Sequence, residues 1–153
     1  MDDIEFKKFT PEIKEKIEKL THIESITANN CRLETLKNFP NCANLSRVEI
    51  GENDFPASEL VHLTSLKGLE SLDLHECNIE TIEDLSPLKE IPNLMELDIS
   101  MTNLAKGESF RDKIFKMLKK LVVLNGADKD GNPVEESDDD EEEYDEDEED
   151  NDG

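Results

Sequence analysis

The side chains in this chain with the most chemical potential are three cysteines, three histidines and 40 carboxylates. Cys31, Cys42 and Cys77 are an odd number, in a sequence with no charged-then-apolar leader pattern and no apolar run of membrane-spanning length. They are expected to be free thiols in a reducing compartment. His22, His62 and His75 are scattered, with no pair at the spacing of a zinc site. A phosphate-cradling glycine loop and a nucleophile elbow are both missing. Asp128 to Asn132 reads DKDGN and has the look of a calcium loop. With Gly131 as its sixth residue, however, the first would be Gly126 and the twelfth Ser137, which do not make a ligand set. A polar turn is expected there. Adjacent acids such as Glu83 and Asp84 fit a solvated face better than a general acid and base. The chain therefore reads as non-enzymatic, with no catalytic residue, metal or cofactor expected.

The carboxylates are unevenly spread. Net charge is −23, and every position from Glu135 to Gly153 is Asp or Glu except Ser137, Tyr144, Asn151 and Gly153. Those fifteen acids leave 25 of the 40 for the rest of the chain, against all 17 bases, a net of −8. A run so charged has no apolar surface to offset its ordering entropy, and its charges repel one another, so residues 135–153 are expected to be a disordered acidic tail. Asp138, Asp139, Asp140, Glu141, Glu142 and Glu143 form its densest part. A polyanion disfavours direct contact with DNA or RNA and favours a lysine- and arginine-rich protein.

The chain before this tail carries an internal repeat. Leu69, Leu72, Leu74, Cys77 and Ile79 follow the frame L-x-x-L-x-L-x-x-C-x-I. The frame recurs at Leu94, Leu97, Ile99, Thr102 and Leu104, and at Leu45, Val48, Ile50, Asn53 and Phe55. It recurs again at Ile23, Ile26, Ala28, Cys31 and Leu33. Starts at 23, 45, 69 and 94 have the near-regular period of a leucine-rich repeat, roughly 20–29 residues. A partial copy begins at Leu121 and Leu124. The frame predicts an α/β fold: a right-handed solenoid with short parallel strands on the concave face, one strand per repeat.

In that fold the ninth position, Cys31, Asn53, Cys77 and Thr102, turns the chain off the sheet and is buried, and Cys42 fills the convex side. Leu36 and Phe39, then Ile82, Leu85, Leu88 and Ile91, return along the convex face, whereas Leu60, Leu63 and Leu66 stand at helical spacing. The open ends need covers. Thr10 and Pro11 predict a capped helix over about 10–20, with Ile13, Ile17 and Leu20 on its buried face. Ser109 and Asp112 stand at capping-box spacing and open a C-terminal cap over about 109–130. Ile114, Phe115, Leu118 and Leu121 are its apolar face.

The strand positions between the leucines stack into rows on the concave face, about 5 Å apart. The fifth position reads Thr27, Glu49, Asp73, Asp98; the eighth reads Asn30, Glu52, Glu76, Met101; the third reads Ser25, Arg47, Ser71, Glu96. Carboxylates so close repel unless a cation sits among them. Glu49, Glu52, Asp73, Glu76, Glu96 and Asp98 are thus the candidate surface for a basic partner.

Three stretches carry a family resemblance: TPEIKEKIEKL followed by NNCR, then PNLMELDIS, then SFRDKIFKMLKKLVVLNGADKDG, which closes as L-[DN]-G-x-D over Leu124 to Asp128. With the acidic tail, they resemble the acidic leucine-rich nuclear phosphoproteins. The resemblance implies a non-enzymatic protein of nucleus and cytoplasm, shuttling or diffusing between them. It implies binding to histones in the manner of a histone chaperone. It also implies inhibition of a type-2A serine/threonine phosphatase, or contact with messenger-RNA-binding proteins. The leading expectation is a monomeric acidic binder of histones or other basic proteins, over a repeat domain of residues 1–134. The alternatives are a phosphatase regulator and a scaffold holding an RNA-binding protein.

Ser137 opens the run SDDDEEE, a site suited to a kinase that recognises downstream acids; a phosphate there would deepen the negative charge. Mass spectrometry of the protein from its native cells is expected to find Ser137 modified; uniformly unmodified Ser137 would remove this expectation.

Overall fold

In the computed structural model, residues 7–107 and 109–134 are described. The acidic run, with Ser137 and Asp138 to Glu143, lies outside them. Each repeat contributes one three-residue strand: β1 Ser25–Thr27, β2 Arg47–Glu49, β3 Ser71–Asp73 and β4 Glu96–Asp98. The partial copy adds β5, Val123–Leu124. They form one parallel sheet in the order β1-β2-β3-β4-β5. The register places Ile26, Val48, Leu72, Leu97 and Leu124 in line, so the fourth position of every repeat falls in one row. The leucine frame of the sequence is therefore the sheet register.

The leucine rows close one continuous aliphatic core. Leu33, Leu36, Val48, Ile50, Leu60, Leu63, Leu69, Leu74, Leu85, Leu88 and Ile99 have no exposed surface. Three phenylalanines join them: Phe55 is fully buried, and Phe9 and Phe39 meet edge to face with ring centroids 5.0 Å apart. The convex returns are 3₁₀ helices, Ala57–Leu63 and Ile82–Glu90, with a short turn at Leu104–Lys106. Their apolar residues are spaced by three, and a 3₁₀ helix has three residues per turn, so Leu60 and Leu63, like Leu85 and Leu88, line one face. Only the second return was expected to be helical; the third is helical too, opened by a capping box between Thr81 and Asp84.

The turn off each strand is built the same way four times. Asn30, Glu52, Glu76 and Met101, all at the eighth position, have left-handed backbones with φ of 53°, 57°, 56° and 61°. Such a conformation costs a non-glycine residue about 1–2 kcal/mol. The ninth position sits inside the turn, and Cys31, Asn53, Cys77 and Thr102 are all buried there. Asn53 makes the fullest set of bonds. Its Oδ1 accepts from the backbone N–H groups of Cys31 and Leu33 at 3.1 and 3.0 Å. Its Nδ2 donates to the carbonyls of Ala28, Ile50 and Gly51 at 2.9, 2.8 and 3.0 Å. One side chain thus ties the first repeat to the second. The Cys77 thiol donates to the Ile50 carbonyl, and the Thr102 hydroxyl to that of Ile99. Burial pushes the Cys77 thiol up to about 12 and raises that of Cys42, so both are held as neutral core groups.

Both ends are covered. Helix α1, Pro11–Glu18, starts where Thr10 Oγ1 accepts from Ile13 N at 3.2 Å. Ile13 and Ile17 pack on the core, but Leu20 lies beyond the helix and is 56% exposed, contrary to the expectation from spacing. The chain leaves the helix before Leu20 reaches its buried side. Helix α2, Phe110–Met117, buries Ile114, with Leu118 and Leu121 following it into the core and Phe115 half-buried. Ser109 does not cap it: its φ of 67° is left-handed rather than extended, and its hydroxyl makes no cap hydrogen bond. The C-terminal cap is fastened by Arg111, whose guanidinium donates to the carbonyls of Leu124, Ala127 and Asp128. Asp128 Oδ1 accepts from Asp130 N and Asn132 N, which makes DKDGN the polar turn the sequence implied. No helix among the described residues is long and apolar enough to cross a membrane.

Asn53→Ala leaves two buried N–H donors without a partner, at about 1–3 kcal/mol each. Urea unfolding of that variant is expected to show a loss of about 2–5 kcal/mol, against little change for Asn78→Ala, whose amide bonds at the exposed side of the turn.

Candidate functional site

The concave face carries the acidic rows in the expected register. Thr27 pairs with Glu49, Glu49 with Asp73, and Asp73 with Asp98. The row beside it runs Ser25, Arg47, Ser71, Glu96. Glu49, Asp73, Glu96 and Asp98 are half-buried between the leucine rows, while Glu52 and Glu76 stand exposed on the left-handed turns. A shallow depression of about 160 Å³ lies over the sheet, lined among others by Arg47, Glu49, Asp73, Glu96, Asp98 and Asn125. That is small beside the ~300–1,000 Å³ of a small-molecule pocket.

Several of these carboxylates already have work inside the fold. Asp73 Oδ1 accepts from His75 N at 3.0 Å, and Asp98 Oδ1 accepts from Ser100 N at 2.8 Å and from the Ser100 hydroxyl at 2.6 Å. In the third and fourth repeats the fifth-position acid thus holds the backbone of the seventh residue, whereas Gly51 N donates to Asn29 Oδ1 at 2.7 Å. At the last strand Asn125 bonds differently, its Oδ1 accepting from Ile99 N of the preceding repeat at 2.6 Å. Cations of the chain itself also sit among the acids and offset part of their repulsion. Arg47 Nη1 lies 3.3 Å from Glu49 Oε2.

The other cation is His75, whose role the sequence did not reveal. Its Nδ1 is 2.8 Å from Asp73 Oδ1, and its Nε2 is 3.0 Å from Glu52 Oε2 in the preceding repeat. Burial disfavours charging this ring, but the hydrogen bonds and charges of Asp73 and Glu52 outweigh it and raise its pKa from 6.5 to about 8. The imidazole lies directly over Gly51. A Cβ at that position would fall 2.2 Å from Nδ1, so only glycine admits the ring. In sequence, Glu52 and His75 are a whole repeat apart and look unrelated. The one available signal was their places, the eighth and seventh positions of consecutive repeats.

Comparison with known proteins bears on the family of the chain. Residues 7–103 match the family model described as the leucine-rich-repeat domain of endo-beta-N-acetylglucosaminidase EndoS. The chain is 38% identical over 120 residues to acidic leucine-rich nuclear phosphoprotein 32 family member A of Drosophila melanogaster, covering 78% of this chain and 46% of the relative. It is 32% identical over 134 residues to a Tetrahymena thermophila protein that is named as a histone, covering 88% of this chain and 34% of that one. The chain thus spans about a third to a half of the length of these curated relatives. Among solved structures, a chain of the Drosophila melanogaster SNF/U2A' complex superposes with a TM-score of 0.66 at 16% identity, covering 80% of this chain and 86% of that one. That likeness speaks to the fold.

The raised pKa of His75 makes stability depend on pH. Folding favours the charged ring, so its contribution is fully present below about pH 6.5, the unfolded value, and is lost as pH rises through about 8. The side chain is 22% exposed, and the expected contribution is about 1–2 kcal/mol. Chemical unfolding of wild type and His75→Gln at pH 6 and pH 9 checks it: the variant is expected to be less stable at pH 6 and to lose less on going to pH 9.

Proposed function

Since this chain belongs to the leucine-rich-repeat proteins and, among them, to the acidic leucine-rich nuclear phosphoprotein family, we propose that it is a nuclear binder of histones or similarly basic proteins, acting as a histone chaperone does. The family and the fold make it a protein-binding, non-enzymatic scaffold. The finer reading rests chiefly on one observation: Glu49, Asp73 and Asp98 stand in consecutive strands of a sheet too shallow for a small ligand. Strand spacing sets them about 4.8 Å apart, a ladder of negative charge suited to a cationic surface. A second support is that a relative matching 88% of this chain is itself named a histone. The acids of residues 135–153 supply the longer-range attraction. Screening limits that attraction to about 8 Å at physiological salt, so the tail speeds and strengthens encounter while the rigid face selects. Passage between nucleus and cytoplasm, and a monomeric state, belong to the same proposal.

The test is core-histone binding across a salt series, comparing the full chain, residues 1–134, and the triple variant Glu49→Gln, Asp73→Asn, Asp98→Asn. These substitutions remove charge but keep an oxygen acceptor for the turn N–H groups of His75 and Ser100. Tail removal is expected to weaken binding and flatten its salt dependence; the triple variant is expected to weaken what remains. Equal affinity in all three forms would reject the proposal. Phosphatase inhibition that survives tail loss and ignores salt would favour the regulator reading instead.

A further inference from the structure

We propose that Glu52, His75 and Glu76 form a binding site for a first-row divalent transition ion of the zinc type, at the edge of the concave face. Their ligand atoms all lie within 4.8 Å of one another. His75 Nε2 and Glu52 Oε2 are 3.0 Å apart. Two ligands on one tetrahedral zinc, with bonds of about 2.0–2.2 Å, stand about 3.3 Å apart, so the pair needs only a small opening to admit the ion.

Three features of the fold set up this arrangement. Asp73 Oδ1 holds Nδ1 of the imidazole at 2.8 Å, the carboxylate–histidine pairing that orients a metal-bound ring and directs Nε2 at the ion. Gly51 leaves room for the ring in this pose, since a Cβ there would fall 2.2 Å from Nδ1. The two glutamates occupy equivalent left-handed turns of neighbouring repeats, with φ of 57° and 56°, so the scaffold itself brings them alongside the ring. Glu76 forms no ion pair with another group among the described residues and is available as the third ligand.

The donor set decides the class of ion. One imidazole with two carboxylates suits zinc and its transition-metal neighbours, whereas calcium and magnesium take oxygen donors throughout. The two carboxylates balance the ion's double charge, and the ion takes the place of the proton that the Nε2 of the charged ring shares with Glu52, which leaves to solvent. Three protein ligands leave a fourth position open to water or to a side chain of a bound protein. The inference is independent of the histone reading: either can fail without the other.

Zinc chloride titrated into the full chain, followed by calorimetry and by the imidazole nitrogen signals of His75, tests it. One saturable step is expected above the weaker background from the acidic run, with the His75 signals shifting in step. His75→Gln is expected to abolish that step and retain the background. Asp73→Asn, which loosens the orienting carboxylate, is expected to weaken it about tenfold or more. Glu76→Gln, at an exposed position where folding is not at stake, is expected to weaken it as well. His62→Gln, in a separate pair with Glu59, is expected to leave it unchanged, and magnesium chloride is expected not to compete. Zinc binding that is absent, unchanged in His75→Gln and Glu76→Gln, or unaccompanied by movement of the His75 signals would overturn the proposal.

Discussion

No repeat in this protein is complete without its neighbour. A strand of three residues cannot satisfy its own backbone, and a face of three or four leucines cannot bury itself. The backbone shows the dependence directly. Ala28 N donates to Glu49 O, Ile50 N to Asp73 O, and Leu74 N to Asp98 O. Each repeat hands its unsatisfied groups to the next, and the sheet order β1 to β5 is the order of the chain. Where the hand-over must turn a corner, a buried side chain completes it, and Asn53, with five bonds to two repeats, does so most fully. The same dependence requires covers at both ends, which α1 and the Arg111-fastened cap provide.

Most of this architecture was legible because leucine position and strand register are the same information in a solenoid. The frame at Ile23, Leu45, Leu69 and Leu94 located the strands, the rows and the buried ninth position. What the sequence hid depends on geometry finer than periodicity. Ser109 has the right residue type and spacing for a capping box, yet its left-handed backbone rules it out. Leu20 has the spacing of a buried residue, but the helix has already ended at Glu18. Spacing by three marks a 3₁₀ turn as readily as an irregular return, so the helix at Ile82–Glu90 went unread. At the candidate site, the acidic rows could be set in order, but not the internal duties of Asp73 and Asp98. The place of His75 between Asp73 and Glu52 was equally hidden, since its partners lie in different repeats.

The acidic face is accordingly less uniform than a roll of carboxylates suggests. Some acids hold turns, some hold cations, and some, like Glu76, stand on the outer turn. Truncating the first group removes the acceptor that a turn N–H needs; neutralising the last changes only what the scaffold presents. The face is therefore a patterned surface in which charge is fixed by the register of the sheet.

The left-handed turn at the eighth position has a broader implication. Asn30, Glu52, Glu76 and Met101 share one backbone shape while differing in size and charge. The main chain, rather than the side chain, dictates the bend, so these four places are interchangeable sockets. A single substitution at one of these places changes the charge or bulk displayed along the edge while the bend beneath it is kept.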